Sequence, residues 1–292
     1  MRKFRALDAI TGFVLIAFLG MIVAAGQPTT PQPTSWDDQR QLAEEKRLDR
    51  IDHMVNSGVK VLYRGGHGSG ILFVRGSEIY ILTAAHVIVD RKMVIRPWLF
   101  LPAELQPNPK LTYGTSTIFI HRHRQDETTF ADDVYIAELI VADGPTDAAI
   151  LKIKHVTTKN FPGLEGGASF DLRNNKSLRR GMKTIHVGNF NDSIEAVTEG
   201  IIANPQLPLR YGSGLLPKFR VIQTTNMVAP GSSGGGVYLE STGECIGILV
   251  RTSWMPGDAL VIPVYEIDQW LNRVSDEMGE LLEQPEQPEQ PE

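Results

Sequence analysis

Val59 to Ile88 reads VKVLYRGGHGSGILFVRGSEIYILTAAHVI. Three runs rich in β-branched and aromatic residues, Val59–Tyr63, Gly70–Val74 and Ile79–Thr83, are separated by glycine and polar turns. That is the pattern of short strands, not of a helix. The same rhythm continues through Thr117–His121, Val134–Val141, Ala149–Ile153, Thr184–Val187, Ala196–Ile202, Phe219–Gln223, Gly236–Leu239, Cys245–Arg251 and Ala259–Pro263. Many short strands with frequent turns predict an all-β sandwich or barrel and exclude an alternating βαβ sheet. No repeat of fixed period is visible. After the strands, Tyr265 to Leu282 (YEIDQWLNRVSDEMGELL) places Ile267, Trp270, Leu271 and Val274 on one face and predicts a helix.

Outward from this core the chain changes character. Arg2, Lys3 and Arg5 precede an uncharged apolar run, Ala9 to Ala25. Its length is at the lower edge of what spans a bilayer, and the basic flank keeps the N-terminus in the cytoplasm. It is an uncleaved anchor or a signal peptide cut near Val23-Ala24-Ala25. Both put the remainder outside the cytoplasm, membrane-anchored in one case and secreted or periplasmic in the other. Residues 1–26 thus form the anchor or signal segment. Residues 27–56 form a Pro/Thr-rich linker and a charged surface helix from Trp36 to Asn56. Residues 57–282 form the main domain, and 283–292 (EQPEQPEQPE) a disordered tail.

Composition narrows the function. Of 292 residues, 42% are hydrophobic and 22% charged, which suits a folded core. The net charge of −5 argues against a nucleic-acid partner, which calls for a basic footprint. A single cysteine, Cys245, excludes an internal disulfide and a multi-cysteine zinc site.

Three residue types in one order carry chemistry. Ala229 to Gly236, APGSSGGG, follows a strand and leaves Ser233 among Gly231, Gly234 and Gly235. A nucleophilic serine needs such a bare turn, where backbone N–H groups are aimed at a developing oxyanion. Its base is sought among seven histidines: His53, His67, His86, His121, His123, His155 and His186. His86 ends an apolar strand behind two alanines, where an imidazole faces a cleft. Asp147 opens the strand AAILKI and supplies an orienting carboxylate, with Asp143 its nearest rival. No histidine follows Ser233, which rules out an α/β-hydrolase. The order His86, Asp147, Ser233 is that of chymotrypsin-like enzymes.

With these residues in view, the chain resembles a trypsin-like serine peptidase, and most of all the protease domain of the HtrA (high-temperature-requirement) family. The resemblance rests on GHGSGILF (Gly66–Phe73), YILTAAHVI (Tyr80–Ile88), DGPTDAAILKI (Asp143–Ile153), HVGNF with VTEGII (His186–Phe190, Val197–Ile202), VIQTTNMVAPGSSGGGV (Val221–Val237) and ECIGILV (Glu244–Val250). It implies two perpendicular six-stranded β-barrels with the site in the cleft between them, and it selects Asp147 over Asp143. It further implies a serine endopeptidase working through an acyl-enzyme. The N–H groups of Gly231 and Ser233 would form the oxyanion hole, and an edge strand at Ile248, Leu249, Val250 and Arg251 would pair with an extended protein or peptide substrate. The alternative is a catalytically inactive peptide-binding or scaffold protein on the same fold. No cofactor is implied.

Departures from the family pattern qualify this expectation. Ser232 stands where trypsin-type digestive enzymes carry Asp, so activation by a newly cut N-terminus is not expected. Met227 occupies the position of their pocket-floor aspartate, so the pocket should prefer aliphatic residues to Lys or Arg. Only Tyr265 to Glu292 follows the last strand, which leaves no place for the PDZ domain usual in HtrA enzymes. Residues 91–142 are long for the family. Their Pro97–Pro102 cluster is expected to cap the barrel, though a neighbouring subunit or a membrane would also suit it. His121 and His123 alternate on one strand, but without a third ligand they read as a solvated face and not a metal site.

Overall fold

A computed structural model describes residues 35–89, 117–125, 130–144, 146–161, 167–170, 177–190, 195–208, 220–252 and 258–274. The apolar N-terminal run, most of the linker, the Pro97–Pro102 cluster and the C-terminal tail lie outside them. Among the described residues no helix is long and apolar enough to cross a membrane.

The chain divides into two compact units, residues 1–46 and 47–292. The described part of the first is the start of helix α1 (Trp36–Asn56). Ser35 and Asp38 cap it reciprocally: Ser35 Oγ accepts from the Asp38 N–H, and Asp38 Oδ2 from the Ser35 N–H, both at 3.1 Å. In the second unit the last turns of α1 bury Met54, with Ile51 and Val55 packed against the same cluster. Arg47 donates from Nε to Glu240 Oε1 at 2.6 Å and also pairs with Glu199, while Arg50 Nε donates to the Glu240 carbonyl. The hydrogen bond from Arg47 holds the Glu240 carboxyl below its ordinary range and raises the Arg47 guanidinium in turn.

Every strand run expected from the sequence is present. The first six strands are β1 (Gly58–Tyr63), β2 (Gly66–Arg75), β3 (Glu78–Thr83), β4 (Ile118–Gln125), β5 (Phe130–Asp143) and β6 (Ala148–Thr157). The next six are β7 (Lys183–Gly188), β8 (Ala196–Pro208), β9 (Arg220–Thr224), β10 (Gly236–Leu239), β11 (Cys245–Thr252) and β12 (Ala259–Pro263), followed by helix α2 (Val264–Val274). They close into two antiparallel barrels, ordered β1-β2-β3-β6-β5-β4 and β7-β8-β9-β12-β11-β10. The two orders are the same wiring used twice, though no sequence repeat announces it. β4 and β5 account for much of the long stretch between His86 and Asp147.

Packing explains why the strands read as nearly unbroken apolar runs. Leu72, Ile81 and Leu151 point into the first barrel, with Val59, Val61, Ile118 and Ile120. Their neighbours Ile71, Leu82 and Ile150 point the other way. There they meet Ile185, Val187, Tyr238, Ile248 and Ile262 of the second barrel, and Trp270 and Leu271 of α2. A strand buried on both faces loses the apolar–polar alternation of a solvated sheet. Each such Leu or Ile stabilises the fold by roughly 1.5–3 kcal/mol. Ile202, Ile222, Val237, Leu249 and Val261 fill the second barrel.

Candidate active site

Strand pairing brings His86 and Asp147 together. β3 and β6 are neighbours with Thr83 opposite Ala149, so the chain leaving β3 and the chain entering β6 meet at one end of the first barrel. His86 sits in the short 3₁₀ turn Ala85–Ile88. Asp147 Oδ1 accepts from the His86 backbone N–H at 2.9 Å, and Oδ2 faces His86 Nδ1 at 2.8 Å. The Asp147 carbonyl also accepts from the Ala85 N–H at 3.1 Å. With Asp147 ionised, Nδ1 carries the imidazole proton and Nε2 presents a lone pair. Asp147 achieves this from φ +53°, in the left-handed region that Asp tolerates better than most residues.

Ser233 lies at the end of a tightly constrained turn. Ala229-Pro230-Gly231-Ser232 closes through the Ser232 N–H and the Ala229 carbonyl at 3.0 Å. Proline in second place and Gly231 at φ +99° make it a type II turn. A Cβ on Gly231 would come within 2.2 Å of the Asn189 carbonyl. The Ser232 side chain is buried and its Oγ accepts from the Ala229 N–H at 3.2 Å, bracing the turn where Asp was absent.

The backbone groups of this turn can be followed one by one. The N–H groups of Ser232, Gly234 and Gly235 donate to the carbonyls of Ala229, Leu249 and Ser232. The carbonyls of Gly231 and Ser233 each accept from Ser69 at 2.7 Å, the first from Oγ and the second from the backbone N–H. Among the described residues, the N–H groups of Gly231 and Ser233 take no partner.

Close backbone contacts seat this turn against the histidine. A Cβ on Gly68 would lie 2.5 Å from the Val87 side chain and 3.0 Å from the Ser233 carbonyl, so one glycine separates the residue after His86 from the nucleophile. A Cβ on Gly234 would lie 2.1 Å from the Ser69 carbonyl and 3.0 Å from the Ala84 N–H nitrogen. Ser233 Oγ makes no hydrogen bond to His86 among the described residues, and such bonds are commonly long before substrate binds.

The expected substrate strand is more enclosed than an edge. β11 lies between β10 and β12, and Ile248 is paired on both sides, with Gly236 and Ile262. Leu249 is likewise held by Gly234 and Gly235. Val250 is the bulge residue, opposed by nothing in either neighbouring strand. Among the described residues β10 pairs with β11 no further than Ile248, because β10 begins at Gly236. Met227 is 72% exposed and stands on the surface, its carbonyl accepting from Thr198 Oγ1, while the adjacent Asn226 is fully buried and hydrogen-bonded to Thr184 and Thr198.

Beneath the turn lies His186, fully buried, with Nδ1 3.0 Å from the Gly236 carbonyl. Burial depresses its pKa to about 4, so the ring is neutral. Among the described residues no three side chains form a metal-ligand cluster.

Ser69 and Asn189 were legible only as parts of the motifs GHGSGILF and HVGNF. Nothing in the sequence signals that Ser69 Oγ spans the two barrels, since that contact joins residues 162 positions apart.

A family model described as trypsin-like peptidase domain matches residues 68–248. Among solved structures, the chain is similar to a serine endoprotease from Yersinia pestis, with 20% identity and a TM-score of 0.52, over 80% of this chain and 66% of that one. It therefore spans just under two thirds of the Yersinia chain. It is also similar to Rv3671c from M. tuberculosis H37Rv, in the inactive form of a serine-to-alanine mutant (16% identity, TM-score 0.54, 77% of this chain and 89% of that one). A second structure of the Rv3671c protease, also an inactive form, matches at 17% identity and TM-score 0.54, over 77% of this chain and 92% of that one. At these identities the likeness is one of fold. No curated protein matches the chain.

Proposed function

The chain belongs to the trypsin-like peptidase family, and on that footing we propose that it is a serine endopeptidase with His86, Asp147 and Ser233 as its triad. Ser233 Oγ attacks the scissile carbonyl and passes its proton to His86 Nε2. The carbon–nitrogen bond breaks as His86 returns that proton to the leaving amine. Water then hydrolyses the acyl-enzyme by the same route. Asp147 fixes the imidazole tautomer and stabilises the imidazolium. The N–H groups of Gly231 and Ser233 receive the oxyanion, and each such donor is worth roughly 3–4 kcal/mol of transition-state stabilisation. The substrate adds as a strand along Val250 and Arg251.

One observation carries this reading: the double hold of Asp147 on His86, beside a turn in which the N–H groups of Gly231 and Ser233 take no partner among the described residues. An alkyl fluorophosphonate tests it. Stoichiometric labelling that disappears in Ser233→Ala supports the enzyme, and an intact protein that takes no label would be a peptide-binding scaffold. The apolar run Ala9–Ala25 behind Arg2, Lys3 and Arg5 supports work on the extracytoplasmic side. Mapping the N-terminus and sidedness of the mature protein tests that placement.

A further inference from the structure

We propose that Ser69 is a positioning residue for the oxyanion turn, holding the second barrel's nucleophile loop in register with the first barrel's His86. The proposal rests on the peptidase reading and assigns a role in that site to a side chain outside the triad.

Ser69 lies on β2 of the first barrel and is 1% exposed. Its hydroxyl has one hydrogen to give. Oγ accepts from the Asn189 N–H at 2.7 Å, so the hydrogen goes to the other close partner, the Gly231 carbonyl, also at 2.7 Å. The backbone N–H of Ser69 donates to the Ser233 carbonyl at 2.7 Å, and its carbonyl accepts from Thr83 Oγ1 at 2.6 Å. One residue thus binds two carbonyls of the turn and reaches back to the strand that ends just before His86.

Those two carbonyls decide what the turn presents. A peptide group is planar, so fixing the Gly231 carbonyl also fixes the Ser232 N–H toward Ala229, and fixing the Ser233 carbonyl fixes the Gly234 N–H toward Leu249. With both of these peptides held, the N–H groups of Gly231 and Ser233 are the pair left over. The main-chain bond from Ser69 survives any substitution. The side-chain bond to Gly231 does not, and its loss strands the part-buried Gly231 carbonyl and the buried Asn189 N–H. The turn is then free to relax by the fraction of an ångström that oxyanion stabilisation does not tolerate.

Ser69→Thr and Ser69→Val form a matched pair, equal in shape and differing in the hydroxyl. The measurement is inactivation by an alkyl fluorophosphonate over a range of concentrations, which separates the maximal rate from the half-saturating concentration. Thermal melting of each variant runs alongside. The expected result is a maximal rate at least about tenfold lower in Ser69→Val than in Ser69→Thr, with half-saturation unchanged. A merely structural role would lower the melting temperature of Ser69→Val and leave the rate of its folded fraction untouched. Equal maximal rates in the two variants, with the wild type labelled, overturn this inference alone. A wild type that takes no label overturns the peptidase reading and this inference with it.

Discussion

Asp147 holds His86 at two points, the backbone N–H through Oδ1 at 2.9 Å and Nδ1 through Oδ2 at 2.8 Å. It does so from a left-handed backbone that Asn also tolerates. Asp147→Asn should keep the fold and lower turnover by about 10⁴-fold, because an amide cannot enforce the imidazole tautomer. Asp147→Ala should lose activity as well and add about 1–2 kcal/mol of destabilisation from its left-handed φ. Peptide turnover and urea melts of the two variants check both parts. An Asn variant with wild-type turnover would remove Asp147 from the mechanism.

Two glycines separate backbone strain from collision. Gly76 has φ +57° and open space around its missing Cβ, whereas Gly234 at φ +87° faces the Ser69 carbonyl at 2.1 Å and Thr83 Oγ1 at 2.4 Å. Gly76→Ala should cost about 1–2 kcal/mol. Gly234→Ala should cost several times more and abolish fluorophosphonate labelling, because the turn must move away from His86. Similar melting temperatures for the two variants would mean that the contact at Gly234 is soft.

How much of this was legible in the sequence depends on the range of the interactions involved. The strand runs could be read because β-branched content and turn residues are local signals. His86, Asp147 and Ser233 could be nominated because each sits at a strand boundary in a distinctive local setting. The surroundings of the expected substrate strand could not be read because pairing partners are not local: only the barrel closure shows Ile248 paired on both sides, with Gly236 and Ile262. Ser69 escaped notice because its role lies in contacts across the barrel interface.

His186 gives the fold a dependence on acid. Its folded pKa of about 4 lies below the ordinary 6.5. Between these values the unfolded chain binds a proton that the folded chain refuses. Stability therefore falls as pH drops from 6.5 to 4, by about 3 kcal/mol from this group. His186→Gln, which does not titrate, should be less stable than wild type at pH 7 and close the gap as pH falls. Urea midpoints at pH 7, 5.5 and 4.5 check this, and a gap that stays constant would mean that His186 is not the titrating group.

The absence of an acid at Met227, together with its exposure, bears on specificity. No carboxylate is placed there to receive a basic side chain. A peptide library should be cut after small and medium aliphatic residues, with Lys and Arg at background. A profile led by Lys or Arg would place an unrecognised acid near the cleft.

The same wiring drawn twice also sets an order of events during synthesis. The first barrel is complete once Thr157 has emerged, whereas the second needs β12, ending at Pro263, to join β9 to β11. His86 and Asp147 thus border strands of a barrel whose last strand ends at Thr157, while Ser233 lies in a barrel whose last strand ends more than a hundred residues later. On the proposed triad, the chemistry therefore waits on closure of the second barrel.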